Sequence, residues 1–147
     1  MDISSALVAV RGNANEEDAI KLAGELLNNS KSTMYILYVI EMARGLPLDA
    51  EVGVSSARGE QVLKRMEHLA RRFKCKTEAN LLQARQAGGA VIREAVDKKV
   101  DAIIINMPYN EQYGTFSLGE TVPYLLKNAP CRVILCRDQA YETPSVS

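Results

Sequence analysis

Tryptophan is missing from the 147-residue sequence, phenylalanine occurs twice and histidine once. One imidazole and scattered cysteines cannot assemble a His/Cys zinc site, and no Ser-His-Asp constellation is spaced along the chain, so no dedicated catalytic apparatus is visible. Cysteine is scarce as well. Cys75, Cys131 and Cys136 are odd in number and show no CxxC spacing, which fits reduced, buried thiols better than a disulfide framework. Cys131 and Cys136 fall in one apparent strand with their side chains on opposite faces, too far apart to bridge at roughly 3.3 Å per residue. Net charge is lacking too: eighteen basic residues cancel eighteen acidic ones, which argues against a nucleic-acid or anionic-membrane partner. No apolar run approaches bilayer length, and Met1-Asp2-Ile3-Ser4-Ser5 lacks the basic region of a signal peptide, so a cytoplasmic location is expected.

What the sequence does contain is alternation. Ala6–Val10 is a short, continuous apolar run ending in Arg11-Gly12-Asn13, the signature of a strand buried on both faces and followed by a turn. From Glu16 to Leu27 apolar residues recur at helical spacing, with Asn15 as the cap and Glu16, Glu17 and Asp18 at the positive end of the helix dipole. Met34–Ile40 is a second strand. Glu41–Ser56 has no period and is expected to be a loop. Ala57–Phe73 carries one apolar stripe and is an amphipathic helix, with His68 on its solvated face. Thr77–Gln83 reads as a weaker edge strand, Gly88-Gly89 opens a helix, and Asp101–Asn106 is a strongly buried strand. Thr121–Lys127 is a short helix with Pro123 in its first turn, and Arg132–Cys136 closes the chain as a last strand. This order predicts an α/β fold: an open five-stranded parallel sheet with helices on both faces, with the strand order 3-2-1-4-5 expected. Residues 1–137 form the expected domain, and 138–147 a polar tail expected to be disordered.

In such a sheet, ligands bind beyond the carboxyl ends of the strands, where strand order reverses. That rule gathers Val10, Arg11, Gly12, Asn13, Val39, Asn106, Met107 and Tyr109 around one crevice, with Gly119, Glu120 and Thr121 at the start of the last helix aimed into it. A nucleotide or phosphate is the ligand class this layout favours. No metal site is expected.

Four blocks carry a resemblance to a known family. Ala6–Asn13 is similar to "ILVAVDGS", Ile36–Ile40 to "LLHVV", Val100–Asn106 to "aDlIVmG", and Leu118–Arg137 to "lGSv...vl..apcpVLvVr". In order and spacing they resemble the universal stress protein family over nearly the whole chain. The resemblance implies an adenine-nucleotide alpha-hydrolase-like, Rossmann-like fold and a homodimer made through the last strand, Arg132, Val133, Ile134, Leu135 and Cys136. Members that hold ATP share a G-x2-G-x9-G-[S/T] loop and an acidic residue after the first strand. Here Asn106 and Tyr109 stand at the first two glycines, Gly119 at the third, Glu120 at the hydroxyl residue, and Arg11 at the acidic position. Tyrosine would fill the space a phosphate needs, and a carboxylate in the first helical turn repels one.

These departures lead to the expectation of a non-enzymatic stress or regulatory protein that acts through dimerisation and partner binding. Its ATP loop is lost, an Arg11–Glu120 ion pair partly replaces the nucleotide, and no cofactor is required. The alternative is a sensor of AMP, ATP or a cyclic dinucleotide in a remodelled pocket contacted by Asn13, Val39, Asn106, Gly119 and Thr121, with Arg11 as an anion clamp. Tyr109 and Tyr113 are assigned to local packing or a partner surface in preference to base stacking. Weak ATP hydrolysis is disfavoured by the absence of a base, a glycine loop and a magnesium ligand.

Overall fold

The computed structural model describes residues 2–107, 111–112, 115–116 and 119–137. Five parallel strands form one sheet in the expected order, β3-β2-β1-β4-β7. They are β1 (Ser5–Val10), β2 (Thr33–Glu41), β3 (Lys76–Ala84), β4 (Ala102–Met107) and β7 (Arg132–Arg137). The helices are α1 (Glu17–Leu26), α2 (Gly53–Ala70), α3 (Ala87–Lys98) and α4 (Thr121–Asn128). A two-stranded antiparallel pair, β5 (Glu111–Gln112) and β6 (Thr115–Phe116), lies in the connection after β4, which carries no strand signal in the sequence. The tail from 138 onward and Tyr109 and Tyr113 lie outside the described residues.

Strand β1 sits between β2 and β4 and alternates its side chains between two cores. Ala6, Val8 and Val10 join Ile20, Leu27, Met66 and Ile104 on the face covered by α1 and α2. Leu7 and Ala9 join Leu37, Val91, Ile103, Ile105 and Leu125 on the face covered by α3 and α4. Leu7, Val8, Ile103 and Ile104 are fully buried, and each such side chain contributes about 1.5–3 kcal/mol of hydrophobic stabilisation. The chain steps outward from β1 through β2 to β3, then returns across the sheet to β4 and β7. Because parallel crossovers are right-handed, this reversal puts the first two helices on one face and the last two on the other.

The differences from the sequence reading have local causes. Helix α2 begins at Gly53, inside the segment expected to be loop. Its first turn is exposed at Gly53, Val54 and Ser55 and so shows no apolar period, which starts where the helix meets the sheet at Val62 and Leu63. Asn15 is not the cap of α1: it adopts φ 65°, and Glu16 takes the N-cap position. The β3 edge carries exposed Lys76 and Glu78, which discourage pairing with another chain, whereas the β7 edge offers half-buried Val133, Ile134, Leu135 and Cys136 between exposed Arg132 and Arg137. Cys136 packs toward the α1/α2 core and Cys131 toward the α3/α4 core. All three thiols are free, and burial pushes each of them up in pKa.

Asp101, which the sequence reading placed in the strand, instead ties β1 to the start of β4. Its Oδ2 accepts hydrogen bonds from the Ser4 N–H at 2.9 Å, the Ser4 hydroxyl at 2.9 Å and the Ser5 N–H at 3.1 Å. The bonds from Ser4 lead in holding its carboxyl below the usual aspartate value. A lowered folded-state pKa contributes stability that is present above the unfolded value and lost as pH falls through the folded one. Asp101→Asn should therefore be less stable than the wild type at neutral pH and converge with it in acid, as measured by urea unfolding from pH 7 down to the onset of acid unfolding.

Candidate functional site

The turn after β1 is held by one buried carboxylate. Glu16 is 1 % exposed, and its Oε1 accepts N–H bonds from Arg11 at 3.0 Å, Gly12 at 2.7 Å and Asn13 at 3.0 Å, while Oε2 accepts from Arg11 at 2.8 Å. Three successive backbone donors thus curl around a side chain of their own chain, in the concave arrangement that elsewhere binds anions. Gly12 makes the curl with φ 85°, and Arg58 and Val62 of α2 lie within 3.4 Å of where a side chain would start. A larger residue there would be strained and crowded at once. Burial pushes the Glu16 carboxyl above its usual value, and the N–H bonds and the Arg11 charge pull it back only in part.

The Arg11–Glu120 pair expected from the sequence does not form. Arg11 lies at the end of β1, beside β2, and its guanidinium reaches Glu41 at the end of that strand at 3.5 Å, with both side chains half exposed. Glu120, an exposed residue, sits on the α3/α4 side of the sheet. There it lines a cavity of about 140 Å³ with Glu41, Gln86, Gly88, Thr121 and Tyr124. Glu120 occupies the N-cap position of α4, but its side chain makes no capping hydrogen bond.

Of the other residues gathered by the sequence reading, Val10, Val39 and Asn106 lie near the carboxyl ends of the adjacent strands β1, β2 and β4. The Val10 side chain faces the α1/α2 core and that of Val39 packs toward the α3/α4 core. Asn106 and Met107 are buried at the end of β4, and Gly119 is exposed with φ 70°. Asn13 is half-buried and gives its N–H to Glu16. Four contributors were not singled out for the site: Glu16, Gln86, Gly88 and Tyr124. Glu16 was readable as an acid at a helix start, but its reach back to residue 11 depends on the turn. Gly88 was legible as a helix opening, and its purpose appears only in the packing: a Cβ there would stand 2.7 Å from the Tyr124 ring of α4. Among the described residues no cluster of three or more His, Cys, Asp or Glu could hold a metal ion. No described helix is long and apolar enough to cross a membrane.

Comparison with known proteins supplies the context. A sequence model of the universal stress protein family matches residues 3–137. Among solved structures, the universal stress protein from Archaeoglobus fulgidus in complex with dAMP is similar over 92 % of this chain and 98 % of its own, at 15 % identity and a TM-score of 0.72. A universal stress protein family protein from Arabidopsis thaliana with AMP bound covers 97 % of both chains at 17 % identity and a TM-score of 0.69. One from Burkholderia pseudomallei covers 90 % of this chain and 95 % of its own, at 20 % identity and a TM-score of 0.69. A comparison with curated proteins gives no match.

Removing the Glu16 carboxylate should expose its role in the turn. Glu16→Ala leaves three N–H groups without their acceptor and should cost about 1.5–3 kcal/mol, the range for hydrogen bonds to a charged group. Glu16→Gln keeps an oxygen for these donors and should cost less. With its pKa raised, the contribution of Glu16 is full below the unfolded value and falls as pH rises through the folded one. The stability of wild type relative to Glu16→Gln should thus decline from acid toward neutral pH, the opposite slope to Asp101→Asn, by the same unfolding measurement.

Proposed function

Because the chain belongs to the universal stress protein family, we propose that it is a non-enzymatic member that regulates through self-association and partner binding, with its crevice closed to nucleoside triphosphates. The observation that carries this reading is where the crevice's charges go. The backbone donors after β1 are occupied by Glu16. Arg11, the cation at the mouth, is paired to Glu41. The cavity beside them is lined by two carboxylates, Glu41 and Glu120, at the place where a phosphate would need donors. Carboxylates at this place disfavour a phosphate chain, although solvent screens their charge where they are exposed. The sequence adds Asn106 and Glu120 where ATP-holding relatives have glycine and a small hydroxyl residue.

The related Archaeoglobus and Arabidopsis proteins carry dAMP and AMP, so the decisive test is a nucleotide screen. Protein freed of copurifying ligand is titrated calorimetrically, and its melting followed, with ATP, ADP, AMP and cyclic dinucleotides, each with and without magnesium. No saturable shift is expected. A ligand present at a hundred times its Kd would add about 2.7 kcal/mol of stability, and such a shift with any of these compounds would make the protein a nucleotide sensor instead.

Self-association is assigned to β7, whose outer edge is apolar while the opposite edge, β3, is charged. Sedimentation equilibrium should give a dimer at micromolar concentration, and Val133→Lys should weaken it by at least tenfold. Val133 is the second residue of β7 in its pairing with β4, opposite Ile103. A monomeric wild type would remove the dimer from this reading.

A further inference from the structure

A second cavity lies across Tyr124 from the acidic one, and its chemistry is the reverse. It measures about 320 Å³ and is formed by the β2–α2 loop, the end of β3, the first turns of α3 and the Tyr124 ring. Arg85 and Arg93 line it, and among the described residues no acidic one does.

Its walls are fixed by specific bonds. The Gln83 amide donates to the Leu48 and Ala50 carbonyls, at 2.9 Å each, which brings Leu48 to the cavity as an apolar wall. Arg85 Nη1 donates to the Ala43 carbonyl, which anchors the same loop and, among the described residues, leaves the other guanidinium donors of Arg85 uncommitted. Arg93 stands four residues after Gly89 on α3, and side chains on a helix lean toward its N-terminal end, so its head is carried back over Gly89 and Ala90. Arg93 is exposed and has no ion pair among the described residues. The missing side chain of Gly88 lets Tyr124 lie across α3, with its hydroxyl 3.9 Å from the place a Cβ of Gly89 would occupy. The ring thereby separates the carboxylate-lined cavity from the arginine-lined one.

Two guanidinium groups, an aromatic ring and an aliphatic wall form a set of complementary parts. Guanidinium binds planar or tetrahedral oxyanions through paired N–H donors, and a ring or aliphatic body attached to that oxyanion is covered by Tyr124 and Leu48. We infer that this cavity is a binding site for a small organic anion, a phosphate or carboxylate carried on an aromatic or short aliphatic body and held by Arg85 and Arg93 against Tyr124. The inference does not depend on whether the crevice at the ends of β1 and β4 takes a nucleotide. It adds a ligand-responsive site at the base of the β2–α2 loop, where occupancy would stiffen Leu48 and its neighbours.

The test uses phenyl phosphate and benzoate as probes, with inorganic phosphate for comparison, in calorimetric titrations of the full chain at low ionic strength. Saturable binding of at least one organic probe is expected, tighter than that of inorganic phosphate. Arg93→Gln should weaken it by at least tenfold, while Arg72→Gln, an equal charge change beyond the end of α2 on the other face of the sheet, should leave it unchanged. Which organic probe binds more tightly separates a phosphate from a carboxylate ligand. Arg93→Gln lies on an exposed helix face, and its melting temperature, measured alongside, should match the wild type. Absence of saturable binding by either organic probe, or binding that Arg93→Gln leaves intact, would overturn the assignment. Nucleotide binding in the neighbouring crevice would be recognised because it would survive Arg93→Gln.

Discussion

Burial of β1 on both faces is the constraint from which the other placements follow. A strand with Ala6, Val8 and Val10 in one core and Leu7 and Ala9 in the other must have helices above and below it and a parallel neighbour on each side. With β2 on one flank and β4 on the other, strand order reverses at β1, and the segments leaving the carboxyl ends of these strands diverge to opposite faces. That divergence opens the crevice. It also places Arg11, at the end of β1, next to Glu41, at the end of the adjacent β2.

Within this frame the chain provides an internal counterpart to its own backbone donors. The turn after β1 would present three unpaired N–H groups to solvent or to a ligand, and Glu16 takes them all from a fully buried position. Two opposing effects act on that carboxylate: desolvation penalises its charge, and the hydrogen bonds reward it. Desolvation is the larger. Asp101, at the other end of the same strand, is exposed to water, so its hydrogen bonds dominate and lower its pKa. The two acids thus bracket β1 with opposite pH dependences, and the difference between them is burial.

Tyr124 organises the α3/α4 side. Its ring lies against Gly88 and lines both cavities, one with Glu41 and Glu120 and the other with Arg85 and Arg93. The carboxylates of one lining and the arginines of the other are therefore kept on opposite sides of an aromatic divider, although the chain as a whole has no net charge. Composition alone would have suggested a surface indifferent to anions. The folded chain segregates its charges locally, and local segregation is what a small ligand meets.

The parallel sheet and the identity of the helices were legible in the sequence, because short apolar runs such as Ala6–Val10 and Ile103–Ile105 alternate with segments of helical period and must be buried on two faces, whereas the strand order came with the family resemblance. The polar edge of β3 and the apolar edge of β7 were readable for the same reason. The start of α2 was not, since its first turn touches nothing apolar and so leaves no period to read. The partner of Arg11, the reach of Glu16 back to residues 11–13 and the contact of Gly88 with Tyr124 were decided only in three dimensions. Each depends on which face of the sheet a turn leaves from and how closely two helices approach, and neither quantity is carried by the order of residues along a single segment.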